Sequence, residues 1–398
     1  MVPTALCYLC LSVSILFKGR GKMTCGWVGE AFHCVEFSTP FVIDKDISYY
    51  PDLSNKYRML LKRASDAGAD KESLAIIENY SKKVLDSIRR YYRADISGSN
   101  AVIKNLIAGL DDCPLASSRL YNSPVFPGKL GRELQLFRSR TGNASLMYSA
   151  KEMLPLPRSL RSKSGNYRFS IPGNPCYYLS NSSYGCWIET GFPPEADFNV
   201  SPVLLDGKQK ILNLAVSSRN FSLLNNFGND EVHCWLKLII LMFATSYRVK
   251  EPGRSFKSEY IVSQSLMLGA KKLGFDGVAY YSKRVRNDAF SLCAINLALF
   301  MNYRKQDNYP DLVDHIKLDD SFNFSVFKQL LPCARAGQYE LRSVKNPYIV
   351  NISTNNEDRQ FSFRDTEFYE FDCFLFDSWT KKRGGRDKDS LSWGHANV

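Results

Sequence analysis

The stretch NYRFSIPGNPCYYLSNSSYGCWIE, residues 166–189, predicts a compact unit in which functional side chains surround one tight turn. YRFS predicts a short aromatic-rich strand, IPGN a turn, and PCYYLS a second strand that completes a hairpin. The polar run Ser-Asn-Ser at residues 180–182 offers candidate caps for a helix that follows. That helix would carry Glu189 back over the hairpin.

Three side chains of this stretch suit a charged substrate that contains a flat ring. Arg168 can hold an anion, Tyr178 can stack on a ring, and Glu189 can stabilise a cation. Because side chains alternate along a strand, only one of Tyr177 and Tyr178 faces a given side. We therefore predict that Arg168, Tyr178 and Glu189 converge on one pocket.

Two further blocks extend the pattern along the chain. FKSEYIVSQSLM (256–267) precedes GFDGVAYYSKRVRNDAFSLCAINLALF (274–300), and LFRSRTGN (136–143) lies upstream. Together the blocks resemble the RES domain, a family named for its arginine, glutamate and serine. The family pattern runs Arg-aromatic-Asn, Pro-Gly, a Tyr-Leu strand and a helix with Glu, and here Ser170 replaces the Asn.

The resemblance implies an α+β protein whose central domain has the ADP-ribosyltransferase-like fold that RES proteins share. It implies an NAD-consuming enzyme, and a growth-arresting toxin that a protein antitoxin silences. Phosphate or water is favoured as the acceptor of ADP-ribose, which makes the enzyme an NAD phosphorylase or NAD glycohydrolase. The alternatives are a protein ADP-ribosyltransferase and a catalytically inactive RES-fold interaction module. No cofactor or metal is expected, because NAD is the substrate and inorganic phosphate the candidate co-substrate.

The resemblance also assigns roles to the side chains of the first stretch. Cleavage of the nicotinamide–ribose bond passes through an oxocarbenium-like state, and the leaving group departs neutral, so one carboxylate can suffice. Glu189 would hold the ribose hydroxyls and stabilise the developing positive charge. Arg168 would grip the pyrophosphate, and Tyr178 or its neighbour Tyr177 would present a ring to the nicotinamide, with Tyr178 favoured by the family spacing.

The flanking blocks supply further substrate-binding candidates through the same resemblance. A strand that ends in Tyr-x-Ser would make Ser282 the family's serine, with Arg284 beside it. Asn296 would enter the last strand of the domain, and it would give orienting hydrogen bonds together with Ser282. In the opening strand, Arg138 or Arg140 is a further candidate.

Composition and hydrophobic spacing divide the chain into segments. Apolar residues at spacings of three and four predict helices between Tyr57 and Leu110, and the apolar segment 232–247 predicts a buried helix. KILNLAV (210–216) predicts a strand, and strands near 339–344, 348–353 and 361–376 are expected beyond the central domain. The predicted segments are an apolar N-terminal stretch (1–24), a helical accessory region and linker (25–130), the RES domain (131–305), a β-rich extension (306–380) and a disordered basic tail (381–398).

The formal net charge of +12 favours acidic partners, among which the dinucleotide substrate and an acidic antitoxin are both compatible. The chain shows no nucleic-acid reading motif and no basic helix with interleaved aromatic residues, so direct nucleic-acid binding is not expected. The apolar run 2–17 is short for a membrane span and lacks the charge order of a secretory signal. The favoured prediction is a buried or mis-started N-terminus, and a membrane anchor through this run is the lesser alternative.

Eleven cysteines are scattered along the chain and odd in number, which does not fit a disulfide framework and favours a reducing cytoplasm. Cys7, Cys10, Cys25 and Cys34 could form a zinc site with four sulfur ligands. The first pair lies in an apolar run, however, and the second pair is too widely spaced. The favoured prediction is therefore that no metal is bound.

Overall fold

The computed structural model describes residues 26–32, 34–110, 112–123, 133–142, 147–216, 229–251, 253–285, 293–304, 308–333, 351–353 and 360–384. The predicted apolar N-terminal segment lies outside these residues, as do Cys7, Cys10, Cys25 and the strand expected at 339–344.

The described α-helices are α1 (Gly26–Phe32), α2 (Tyr49–Asp66), α3 (Lys71–Tyr92), α4 (Ile96–Ala108), α5 (Ala150–Met153), α6 (Ser183–Glu189), α7 (Asn229–Thr245), α8 (Ile261–Lys272), α9 (Phe324–Cys333) and α10 (Glu367–Gly384). The described strands are β1 (Phe41–Ile43), β2 (Ser117–Arg119), β3 (Leu134–Thr141), β4 (Cys176–Ser180), β5 (Phe198–Leu205), β6 (Lys210–Asn213), β7 (Tyr247–Val249), β8 (Gly277–Tyr281), β9 (Ile295–Phe300), β10 (Ile316–Leu318), β11 (Phe322–Asn323), β12 (Asn351–Ser353) and β13 (Gln360–Ser362).

The chain forms two compact units, and each unit is built from three separate segments. The first unit contains residues 1–127, 165–171 and 209–288. The second unit contains residues 128–164, 172–208 and 289–398. The alternation of segments means that the functional stretch at 166–189 contributes to both units.

Helices α2, α3 and α4 of the first unit confirm the predicted helical region. Asp70 caps α3 by accepting the Ser73 N–H at 2.8 Å, and Gly68 just before it has a φ of 82°, which suits a helix end. The buried helix predicted at 232–247 is α7. Its carbonyls at Ile240 and Ala244 accept the hydroxyls of Tyr57 and Tyr49, at 2.7 and 2.8 Å, so α7 and α2 are held together by buried hydrogen bonds.

Small sheets accompany the helices of the first unit. Strand β6, which confirms the strand predicted in KILNLAV, lies between β8, its parallel neighbour, and β2, its antiparallel neighbour. Strands β1 and β7 pair in parallel as a separate ribbon. A disulfide joins Cys113 to Cys234 of α7, with the two Cα atoms 6.0 Å apart. This disulfide joins residues that are 121 positions apart, and the described free cysteines include Cys34.

The second unit is organised around an antiparallel sheet in the order β10-β5-β3-β4-β9, with β11 also paired to β5. Strand β3 confirms the predicted opening strand and pairs with β5 along its whole length. Helices α6, α9 and α10 contribute to an aromatic core with this sheet. Its buried members are Phe137, Cys186, Phe198, Val200, Phe324, Phe327, Leu331, Phe371, Leu375 and Phe376.

The hairpin predicted from the opening stretch does not form. Tyr167 and Ser170 bond to each other through both backbone groups, at 3.2 Å each, so YRFS closes a turn instead of extending as a strand. Pro172 follows and has no N–H to donate, and Gly173 adopts a φ of 78°, which suits the third position of a type II turn. Two successive turns therefore replace the first strand, while the second strand forms as β4.

Of the extension predicted at residues 306–380, the described residues contain strands β10 to β13 and helices α9 and α10, so the strand expected at 361–376 needs correction while the β-rich character of the whole segment stays a prediction. Strands β12 and β13 form one short hairpin, but the strand predicted at 361–376 is replaced from Glu367 onward by α10. Phe368, Phe371 and Leu375 follow helical spacing, and the Thr366 hydroxyl accepts the Tyr369 N–H at 3.3 Å as a helix cap. The aromatic content suggested a strand, while the cap and the spacing of the apolar residues favour the helix. Residues 381–384, assigned to the tail, end α10, and the rest of the tail lies outside the described residues.

The helices and sheets together confirm the predicted α+β class. Across the parts of the chain that the structure describes, no helix combines the length and the apolar character needed to cross a bilayer.

Candidate functional site

Glu189 is the last residue of α6, and the start of this helix is fixed by a local cap. The Ser182 hydroxyl accepts the Gly185 N–H at 2.9 Å, which confirms the capping role predicted for the Ser-Asn-Ser run. The same hydroxyl donates to the Cys293 carbonyl, and a Cβ on Gly185 would lie 3.0 Å from that oxygen. Glycine at position 185 therefore lets the helix lie close to the segment that leads into β9.

Asn296 holds the carboxylate of Glu189. Its side-chain Nδ2 donates to Glu189 Oε1 at 2.8 Å, and Asn296 is buried with 2% of its surface exposed. The register between β4 and β9 pairs Asn296 with Ser180, two residues before the helix cap. Strand pairing and helix capping thus bring together two of the predicted residues that lie 107 positions apart.

The two tyrosines of β4 have different environments. Tyr177 is fully buried, and its hydroxyl donates to the Met153 carbonyl at 3.0 Å. Tyr178 is partly exposed. This difference favours Tyr178 as the ring that a substrate could reach, in agreement with the preference drawn from the family spacing.

Arg138 of β3 lies against the same strand. Its guanidinium lies over the Tyr177 ring, with the carbon 4.4 Å from the ring centroid, and its Nη1 donates to the Tyr178 carbonyl at 3.4 Å. Burial lowers the pKa of Arg138, and its Nε is buried without a hydrogen-bond partner among the described residues. Arg140 instead donates to the Glu152 carbonyl at 2.9 Å and lies over the Tyr148 ring. The geometry favours Arg138 over Arg140 as a ligand-binding candidate.

Arg168 belongs to the first unit and lies in the turn at residues 167–170. It is 7% exposed, its Nη1 donates to the Tyr281 carbonyl at 3.0 Å, and its guanidinium lies 4.7 Å from the centroid of the Tyr280 ring. Ser282 follows directly and is buried, with its hydroxyl accepting the Arg284 N–H at 3.2 Å. Tyr281, the last residue of β8, therefore accepts a hydrogen bond from Arg168 and immediately precedes Ser282.

Gln264 of α8 is a residue to which sequence reasoning gave no role. Its Nε2 donates to the Asn166 side chain at 2.5 Å and to the carbonyls of Tyr167 and Ser170 at 3.2 Å each. One amide thereby holds both ends of the turn that carries Arg168. The available signal was the Gln in the block SEYIVSQ, which is part of the family resemblance.

Ser170, which departs from the family pattern, leaves the turn intact. Its backbone N–H donates to the Tyr167 carbonyl, and its carbonyl accepts from the Tyr167 N–H and from Gln264 Nε2. Backbone groups are the same for Ser and Asn, so the exchange removes none of these hydrogen bonds.

Glu259 is a buried acidic residue of the first unit, and it is paired with cations. It is 3% exposed, and its carboxylate lies 3.0 Å from Arg254 Nη2 and 3.8 Å from Lys283 Nζ. The hydrogen bond that Arg254 donates to Glu259 is the main cause of the raised pKa of Arg254. This arrangement is an ion-pair network that fixes the start of α8. Within the described residues, no group of three or more His, Cys, Asp or Glu side chains could hold a metal ion.

The sequence profile of the RES domain matches residues 136–320. Residues 136–320 are therefore similar to a RES domain. The match includes Arg138, Arg168, Tyr178, Glu189 and Asn296, and it ends between β10 and β11 of the second unit. The α10 helix lies beyond the matched residues.

Two known proteins are similar to this chain. A Bacillus subtilis (strain 168) protein named "Putative toxin YopC" is 26% identical over 331 residues, which cover 77% of this chain and 70% of that protein. A chain in the crystal structure of the M. tuberculosis MbcT–MbcA toxin–antitoxin complex is 12% identical, and the match covers 57% of this chain and 96% of that chain. Its TM-score is 0.28. The chain is therefore similar to a relative that is named a putative toxin.

Proposed function

We propose that the RES domain cleaves the nicotinamide–ribose bond of NAD and that the chain acts as a toxin. The observation that carries the proposal is the Glu189–Asn296 pair, because a neutral amide orients the carboxylate without neutralising it. A carboxylate that keeps its charge can stabilise the positive charge that develops on the ribose during cleavage. An ion-paired carboxylate such as Glu259 is less suited to that task.

The second oxygen of the Glu189 carboxylate makes no hydrogen bond to the described residues, and the side chain is partly exposed. In the proposed mechanism this oxygen contacts the ribose hydroxyls while Asn296 holds the other. Nicotinamide leaves as a neutral base, so no general acid has to protonate it. Water as acceptor gives ADP-ribose, and inorganic phosphate gives ADP-ribose 1″-phosphate.

Arg168 is the proposed pyrophosphate ligand, and Tyr178 the proposed ring contact to the nicotinamide. The aromatic ring of Tyr280 and the Tyr281 carbonyl keep the Arg168 guanidinium in one place, which lowers the entropy lost on binding an anion. Ser282 and Arg138 complete the proposed set of substrate contacts. The net charge of +12 favours an approaching dinucleotide anion.

We further propose that a protein antitoxin restrains the chain and that the chain acts in the cytoplasm. The toxin-named relative supports the first part, since an NAD-degrading enzyme would harm its own cell without restraint. Induced expression in a bacterial host should arrest growth and deplete NAD, and Glu189→Ala should relieve both effects. Growth arrest without NAD loss would contradict the proposed mechanism of toxicity.

The decisive experiment measures nicotinamide release from NAD by the purified protein, with and without phosphate, and resolves the products by mass. We expect release that depends on Glu189, and the product identifies water or phosphate as acceptor. Label transferred from tagged NAD to protein would support a protein ADP-ribosyltransferase instead. A folded protein that binds NAD without releasing nicotinamide would be the inactive interaction module.

A further inference from the structure

The C-terminal helix α10 contacts the first turn of the helix that ends in Glu189. Asp372 of α10 accepts the Ser183 N–H through its Oδ1 at 3.0 Å. The Ser183 hydroxyl donates to the Phe368 carbonyl at 3.3 Å. The Phe368 ring lies against Tyr184 and Trp187, with centroids 5.3 and 5.5 Å away. Three residues of α6 are therefore held by one turn of α10.

Asp372 is an unusual group for this position because it is a buried carboxyl with no cationic partner in the part of the chain that the structure describes. It is 1% exposed, and its Oδ2 has no hydrogen-bond partner among the described residues. Burial raises the pKa of Asp372 well above its ordinary value, and the hydrogen bonds from Ser183 oppose the shift only in part. The titratable groups that interact with it are thiols, Cys186 of α6 and Cys293 before β9, and burial raises the pKa of both. Among the described residues no positive charge compensates the carboxyl, so an apolar side chain would be less costly unless the hydrogen bonds of Asp372 are needed.

We infer that Asp372 is a positioning residue for the proposed NAD-cleaving site, because it fixes the first turn of α6 and, through this seven-residue helix, the place of Glu189. The inference rests on the proposed function. It also assigns a role to α10, which lies outside the matched RES residues. The carboxyl group satisfies an N–H of the first helical turn, which has no partner inside the helix.

Further contacts of α6 explain why the hydrogen bond between Asp372 and Ser183 would affect the position of Glu189. Cys186, one turn beyond Ser183, is buried in the aromatic core with Phe371 and Leu375 of α10. Glu189 follows one turn later and is held from β9 by Asn296. Helix α6 is thus fixed by α10 at its start and by Asn296 at its end, so a shift at Ser183 would move the carboxylate relative to the substrate.

The test compares Asp372→Asn, which keeps an acceptor oxygen of the same shape, with Asp372→Ala, which removes it. We expect Asp372→Ala to lower kcat for nicotinamide release about tenfold with KM within about twofold, because small displacements of a catalytic group reduce the rate of the chemical step. Asp372→Asn should retain kcat within about twofold of wild type. Asp365→Ala, an exposed residue just before α10, is the matched control and should change neither constant.

A second measurement is independent of catalysis. Hydrogen–deuterium exchange of the peptide that covers residues 183–189 should accelerate in Asp372→Ala and stay slow in Asp372→Asn. Unchanged exchange and unchanged kcat in Asp372→Ala would overturn the inference. If the wild-type protein released no nicotinamide, the proposed function would fail, while the exchange experiment would still decide whether Asp372 anchors α6.

The pH dependence of stability gives a third readout. The folded pKa of Asp372 is raised above that of the unfolded chain, so its contribution to stability is complete at acid pH and declines as the pH rises above about 4. Asp372→Asn cannot lose a proton and should remove this part of the decline, so that its Tm exceeds that of wild type increasingly toward neutral pH. A Tm difference between wild type and Asp372→Asn that does not change with pH would show that the carboxyl is not held protonated.

Discussion

Glu189 and Arg168 come from the same stretch of sequence, yet the two are held in place by different means. Glu189 ends a regular helix, and its carboxylate is partly exposed and held by one amide. Arg168 lies in a four-residue turn, and its guanidinium is buried against aromatic rings and a carbonyl. Regular secondary structure positions the first, whereas side chains from distant segments position the second.

This difference predicts which substitutions should affect the chemical step and which should affect substrate binding. A carboxylate at a helix end can change with little effect on the fold, because its backbone is fixed by the cap at Ser182 and the contacts of α6. The turn that carries Arg168 is held by the Gln264 amide and the Tyr280 ring, so a change in either residue should alter the position of Arg168. We therefore expect kcat effects around Glu189, and effects on KM and stability around Arg168.

The largest effect is expected for Glu189→Ala. Loss of one preorganised charge should lower kcat for nicotinamide release by about a hundredfold or more, while the far-ultraviolet circular dichroism spectrum and Tm stay unchanged. Glu195→Ala is the matched control, because this exposed glutamate of the same unit pairs with Lys328 on the surface. Turnover of Glu189→Ala within a few-fold of wild type would remove Glu189 from the mechanism.

Arg168→Ala should act mainly on substrate binding. A charge-assisted contact contributes roughly 1.5–3 kcal/mol, so we expect KM to rise about tenfold or more with a smaller change in kcat. Arg168→Met keeps much of the buried volume and separates packing from charge. If both variants unfold at the assay temperature, Arg168 is a structural residue and the binding interpretation is wrong.

Asn296→Asp tests the orientation of Glu189 through pH. Two carboxylates 2.8 Å apart cannot both ionise readily, so the pair would retain a proton to higher pH. We expect the acid limb of the kcat profile to move upward, with activity about tenfold lower near pH 6 and recovering at higher pH. Asn296→Ala should lower kcat without moving the limb. An unshifted profile in Asn296→Asp would contradict the contact.

The smallest effect is expected for Gln264→Leu, which removes the amide that holds the Arg168 turn. Loss of hydrogen bonds worth about 1 kcal/mol should raise KM about fivefold and leave kcat within about twofold. Gln135→Leu, at an exposed position of β3, is the matched control. If Gln264→Leu changes neither KM nor Tm, the turn is held without this amide.

Local sequence signals predicted many of the elements correctly. Ser182 as a cap and the helical spacing of α2, α3 and α4 both describe interactions within a few residues. Strand β9 was likewise predicted, and with it the position of Asn296. Such signals are strong because each residue's backbone preference and its nearest neighbours act in the same direction.

Local sequence signals were misleading where residues far away along the chain determine the structure. YRFS has strand-forming residues, but Gln264 from 94 positions away binds the Ser170 carbonyl and stabilises a turn. The aromatic content at 361–376 suggested a strand, but from Glu367 onward the chain forms α10, whose Phe371 packs in the core. That Arg168, Tyr178 and Glu189 converge on one pocket stays a prediction.

Local spacing and the order of motifs were sufficient to predict the α+β class, the cap and strands that carry the candidate residues, and the resemblance to the RES domain. Tertiary structure alone decided that Asn296 holds Glu189, that Gln264 holds the Arg168 turn, and that Asp372 lies 189 positions from the N–H it accepts. Hydrogen bonds between distant segments form only when packing brings both partners to the same place. Their residue types are too common for spacing along the chain to reveal them.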